Sequence, residues 1–118
     1  MKYLCLVYQE EAMIDALPER EYNAIVCEVL DYREDLRQRG HYITSNALES
    51  VQTATTIRVR NGRVSITDGP FAETKEQLGG FYLIDAADLN EAILVVSRMP
   101  PARIGCIEVR PIKEFGPP

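Results

Sequence analysis

Six side chains have the types and spacing to do chemistry: His41, Asp68, Phe71, Glu73, Lys75 and Glu76. His41 is the one histidine, and imidazole, with an unperturbed pKa of about 6.5, suits proton transfer near neutrality. It follows Gly40 at the expected end of a helix, where the negative end of the helix dipole favours its protonated form. The same position suits a histidine that only caps the helix or lies at the surface. Asp68 closes a strand-like segment, so its carboxylate could face a cleft as general base, or could hold the Gly69-Pro70 turn through the backbone. Glu73, Lys75 and Glu76 set two acids and an amine within four residues. In a cleft they would orient a polar substrate or shift a pKa; on a solvated turn they are a surface charge cluster. Phe71 reads as an anchor pinning its loop, or as a pocket wall. His41 and Asp68 are therefore the candidate catalytic residues, and Phe71, Glu73, Lys75 and Glu76 the candidate ligand-binding residues.

Other chemistries find little support. One histidine and no Cys-x-x-Cys pair argue against a zinc site, and Cys5, Cys27 and Cys106, each among apolar neighbours, are expected as buried reduced thiols. The dinucleotide, P-loop, nucleophile-elbow and His-Glu-x-x-His signatures are absent, which leaves a cofactor-independent enzyme open, and the first reading is acid–base chemistry on a small polar or aromatic molecule. Thirteen basic against eighteen acidic residues give a net charge of −5, which repels a phosphate backbone. The Arg58, Arg60 and Arg63 patch is too small to reverse that, so no nucleic-acid partner is expected. No apolar run approaches the ~18 residues of a membrane span, and the start is too short for a signal peptide, so a cytoplasmic protein is expected. Arg103, Glu108 and Arg110 could pair near the final strand or bind a carboxylate. The six tyrosines could line a pocket or an interface.

The elements that must position these residues follow from periodicity. Tyr3, Cys5 and Val7 alternate with Leu4, Leu6 and Tyr8, a strand apolar on both faces. Glu10 to Leu17 reads as a loop. From Pro18 to Arg39, Tyr22, Ile25, Val26, Val29, Leu30 and Leu36 recur at three- and four-residue steps, with Arg33 assigned to the polar side, and Gly40 supplies a left-handed cap. His41 to Leu48 reads as a strand. Ala54 to Arg60 and Arg63 to Thr67 form a hairpin about Asn61-Gly62, the dipeptide of a type I′ turn. Asp68-Gly69-Pro70 ends the second strand, Thr74 with Gln77 has capping-box spacing for one helical turn, and Gly79-Gly80 releases the chain into the strand Phe81 to Asp85. Asp88 caps a second amphipathic helix that Pro100-Pro101 stops, and Arg103 to Arg110 is the last strand.

Two helices can cover only one face of an antiparallel sheet. Strands that are apolar on both faces therefore need a further partner, and a second copy of the same sheet across a two-fold axis is the expected one.

Asp68-Gly69-Pro70-Phe71-Ala72-Glu73-Thr74-Lys75-Glu76, then Gly79-Gly80-Phe81-Tyr82-Leu83-Ile84-Asp85 and Ile107-Glu108-Val109-Arg110-Pro111, resembles the DGPF proteins of the YCII-related family. The likeness covers nearly the whole chain as a single domain, 1–118. It implies an α+β ferredoxin-like antiparallel sheet with two helices on one face and an inserted β-hairpin, pairing as a dimeric α+β barrel. It also implies an enzyme or binding module of unassigned substrate. The alternative is a non-catalytic module that binds a small molecule or, given the association of some members with extracytoplasmic-function sigma factors, a regulatory protein partner. The helical histidine suspected of acting with an aspartate in the YCII branch has no counterpart in Glu19 to Ala24. His41, Asp68, Phe71, Glu73, Lys75 and Glu76 match the DGPF branch.

Overall fold

In the computed structural model, which describes residues 1–117, the chain folds as β1 (Lys2–Gln9), α1 (Glu11–Asp15), α2 (Glu19–Gln38), β2 (Tyr42–Ala47), β3 (Thr55–Arg60), β4 (Arg63–Asp68), β5 (Gln77–Asp85), α3 (Leu89–Ser97) and β6 (Cys106–Pro111). Short 3-10 turns occupy Val51–Thr53 and Pro100–Arg103. Four strands form an antiparallel sheet in the order β2-β5-β1-β6, and β3-β4 stands apart as a two-stranded hairpin. This is the expected ferredoxin-like α+β arrangement with an inserted hairpin.

Tyr3, Cys5 and Val7 of β1 and Tyr82 and Ile84 of β5 face the helices and form the core with Leu36, Ala92, Val95, Val96 and Met99. Tyr32 packs against this core and donates its hydroxyl to the Val95 carbonyl at 2.6 Å, tying α2 to α3. The opposite face carries Leu4, Leu6, Tyr8, Phe81 and Leu83, all half-buried.

Local chemistry sets the joints. Gly40, at φ 80°, lets its own N–H reach Arg37 and the His41 N–H reach Leu36, a Schellman cap on α2. Asn61 and Gly62 take φ 52° and 75°, the left-handed pair a type I′ turn requires. Asp88 accepts from the Glu91 N–H at 2.9 Å while Glu91 accepts from Ala87, closing the start of α3.

Several expectations need correction. Glu11–Asp15 is a short helix rather than loop. No helical turn forms at Thr74; instead Gln77 opens β5, and its side chain donates to the Thr74 carbonyl at 3.0 Å. The double glycine lies inside β5, where the β1 register shifts from Val7↔Gly80 to Tyr8↔Leu78 and leaves Gly79 as a β-bulge. A Cβ at Gly80 would come within 2.9 Å of the Asn46 carbonyl oxygen, so β2 can approach only a glycine. Cys5 is buried, but Cys27 and Cys106 are exposed, because apolar sequence neighbours point to other faces of a helix or strand. Arg33 belongs to the inward stripe of α2, not to its polar side.

Candidate functional site

The bulge lets one strand serve two cavities. On the face away from the helices, Tyr8 and Leu78 border a cavity of about 990 Å³ whose other walls are the 3-10 turn, the base of the hairpin and the Asp68–Thr74 loop. On the helix face, Gly79, Gly80 and Tyr82 border a second cavity of about 430 Å³ beneath α2.

The loop cavity is held by a hydrogen-bond relay. The Glu11 carboxylate accepts from the Ser50 hydroxyl and the Val51 N–H, each at 2.9 Å. The Glu11 N–H in turn donates to Gln77 Oε1 at 2.9 Å, and Gln77 Nε2 reaches Thr74. On the hairpin side, Gly69 at φ 105° donates to Ala54 at 2.7 Å and accepts from the Thr56 hydroxyl at 2.8 Å. The turn thus rests on the backbone and Thr56, and the Asp68 side chain is not needed to hold it.

Three of the six sequence candidates, Asp68, Phe71 and Glu73, line this cavity. Among the described residues, neither carboxylate has a hydrogen-bond or salt-bridge partner. Phe71 is 80% exposed, so it does not anchor the loop onto the rest of the chain. Lys75 is exposed and does not border the cavity. Glu76 also lies outside it and meets the Cys106 thiol, Sγ to Oε1 3.9 Å. Local desolvation, with Glu76 and Glu108 nearby, pushes that thiol up from its ordinary range.

His41 lies elsewhere. Its carbonyl accepts from the Asp85 N–H, its Nδ1 lies 2.8 Å from the Asp85 carbonyl, and Glu91 is 3.8 Å away. A carbonyl can only accept, so Nδ1 carries the proton. Asp85 ends β5 while Gln77 opens it beside the loop cavity, so eight residue steps, roughly 26 Å, separate the two locations. Within the chain His41 and Asp68 do not share a site, and His41 caps α2 through its backbone N–H while its ring meets the end of β5.

The remaining candidates have structural partners. Arg103 pairs with Glu28 of α2, and Arg110 with Glu108 at 3.6 Å. Tyr3 and Tyr82 are buried in the core. Sequence reasoning missed Glu11, Ser50 and Gln77, whose partners lie 39 to 66 residues away. It also missed Arg33, although the stripe Tyr22, Val26, Val29, Leu30 reaches position 33 at the same helical step. No group of acidic, histidine and cysteine side chains among the described residues could hold a metal ion. No helix among the described residues is long and apolar enough to cross a membrane.

The YCII-related domain model matches residues 1–116. An uncharacterized protein of Rhizobium meliloti (strain 1021) is 34% identical, over 99% of this chain and 96% of that protein. A match of this extent, on a ferredoxin-like sheet with an inserted hairpin, leads to one conclusion: the chain belongs to the YCII-related family.

Proposed function

We propose that this protein is a homodimer that binds a small polar or aromatic molecule in the cavity beneath the Asp68–Thr74 loop. One observation carries the reading: Asp68 and Glu73, both unpaired, border one cavity together with the exposed ring of Phe71. Two carboxylates favour a ligand that brings N–H or O–H donors, and an aromatic face favours a flat or cationic group. Binding is favoured over proton transfer by a His41–Asp68 pair, because the two residues stand at opposite ends of β5.

The dimer is supported by what the fold leaves uncovered. In the hairpin, Ile57 pairs with Ile66 and Val59 with Val64 on one face, and all four are more than half exposed. The helices lie behind the sheet, and its other face is apolar through Leu4, Leu6, Phe81 and Leu83. The radius of gyration is 16.5 Å, against about 13.5 Å for a compact chain of this length. An arm that projects an apolar face suits a partner with the same needs. Because Tyr8 and Leu78 of the uncovered sheet face border the cavity, a second copy packed on that face would narrow it.

A thermal-shift screen of small amines, amino acids and neutral aromatic molecules tests the binding. A ligand at about 100 times its Kd stabilises the fold by ~2.7 kcal/mol. Hits on the wild type that disappear in a folded Asp68→Asn, Glu73→Gln variant support the reading. Hits that persist unchanged in that variant refute it.

A further inference from the structure

A 20-residue amphipathic helix normally buries its apolar stripe, yet Leu36 is the one buried residue of α2 among those described. Tyr22, Val26 and Leu30 remain 46%, 36% and 45% exposed. The amino-terminal part of α2 thus stands off the sheet and roofs the second cavity, with Val7, Gly80 and Tyr82 in its floor. At about 430 Å³ the space falls within the ~300–1,000 Å³ of small-molecule sites.

Arg33 sits at one end of this apolar space, and it is the one cationic side chain in the lining. Arg37, Arg39 and Arg103 are each held by a carboxylate, from Glu34, Asp35 and Glu28. Arg33 is half-buried and has no hydrogen-bond or salt-bridge partner among the described residues. The Tyr82 hydroxyl likewise makes no hydrogen bond there. Burial pushes that phenol up from its ordinary range, and the nearby Arg33 charge opposes the push, so the two groups share one electrostatic environment. A half-buried guanidinium without a counter-ion, next to a free hydroxyl, is a built place for an anion.

We infer that this cavity is a second ligand site, taking a small amphipathic monoanion with its aromatic or branched apolar body under α2 and its carboxylate or similar head at Arg33 and Tyr82. The inference is independent of the loop cavity, with which this site shares no lining residue.

Fluorescence titration with anilinonaphthalene sulfonate, and with its uncharged counterpart phenylnaphthylamine, tests it. Wild-type protein should bind the sulfonate saturably, one per chain. Arg33→Gln should weaken the sulfonate by about tenfold or more and leave the neutral probe within about twofold. Val26→Trp, which fills the space from a partly exposed lining position, should weaken both probes. Absence of saturable binding to the wild type, or equal sulfonate affinity in the wild type and Arg33→Gln, overturns the proposal. Amide shifts on the unsubstituted protein give a check that needs no variant. Shifts at residues 22–33 and Tyr82 support the site, whereas shifts confined to the hairpin or the open sheet face overturn it.

Discussion

Replacing Ile66 by aspartate is expected to separate the proposed dimer while leaving the chain folded. Ile57 and Ile66 face each other across the hairpin at 63% and 68% exposure. Fully burying such a side chain yields about 1.5–3 kcal/mol, so the exposed two-thirds of Ile66 represent about 1–2 kcal/mol that a partner surface can recover. A two-fold interface uses the position twice, which makes the loss about 2–4 kcal/mol before the cost of burying an unpaired carboxylate. The dissociation constant should therefore rise by about 30-fold to 1,000-fold. Sedimentation equilibrium over a wide concentration range reads this directly, with circular dichroism to verify the fold. Ser65→Asp is the control, since it puts the same charge on the opposite, polar face of β4. A wild type that is monomeric at high micromolar concentration, or an Ile66→Asp protein that associates as tightly as the wild type, would refute the reasoning.

Other perturbations test the scaffold. Met99 is fully buried, and Met99→Ala should destabilise the fold by about 2–5 kcal/mol in urea unfolding. A methyl group at Gly105 would lie 2.0 Å from the Tyr8 carbonyl oxygen, so Gly105→Ala should move the β6 entry and lower the thermal midpoint sharply. Glu11→Ala leaves the Ser50 hydroxyl and Val51 N–H without their acceptor and should cost about 1–3 kcal/mol, with the Val51 amide exchanging faster. Burial pushes the Cys5 thiol from 9.0 up to about 12, so a thiol reagent at mild alkaline pH should titrate Cys27 and Cys106 in the native protein and Cys5 only after unfolding. The native state holds the Cys5 proton more tightly than the unfolded chain does. Its contribution to stability is therefore complete below pH 9.0 and is lost as pH rises toward 12, and a urea midpoint that does not fall over that window would contradict this.

What could be read from sequence was local. The 3.6-residue stripe and Gly40 marked α2, Asn61-Gly62 marked the hairpin, and Asp88 with Glu91 marked α3, because each signal and its cause lie within a few residues. The misreadings are long-range. Gly79-Gly80 looked like a release from a turn, but its cause is the close approach of Asn46 on a neighbouring strand. The charge of Arg33 suggests the polar side of α2, while its helical position puts it on the apolar one. His41 and Asp68 both looked able to move protons, yet sheet topology sets them at opposite ends of β5. Glu11 carried no local signal at all, since its carboxylate partners are Ser50 and Val51. The two-faced strands are legible as alternation, and they are the reason to expect a second copy.

The most direct measurement is amide chemical-shift mapping of the wild-type protein with the strongest hit from the thermal-shift screen. Perturbations should cluster at Tyr8, Val51–Thr56 and Asp68–Leu78, and should vanish in the Asp68→Asn, Glu73→Gln variant. Perturbations confined to residues 22–33 or to the surroundings of His41, with Asp68–Leu78 silent, would contradict a ligand site beneath the loop.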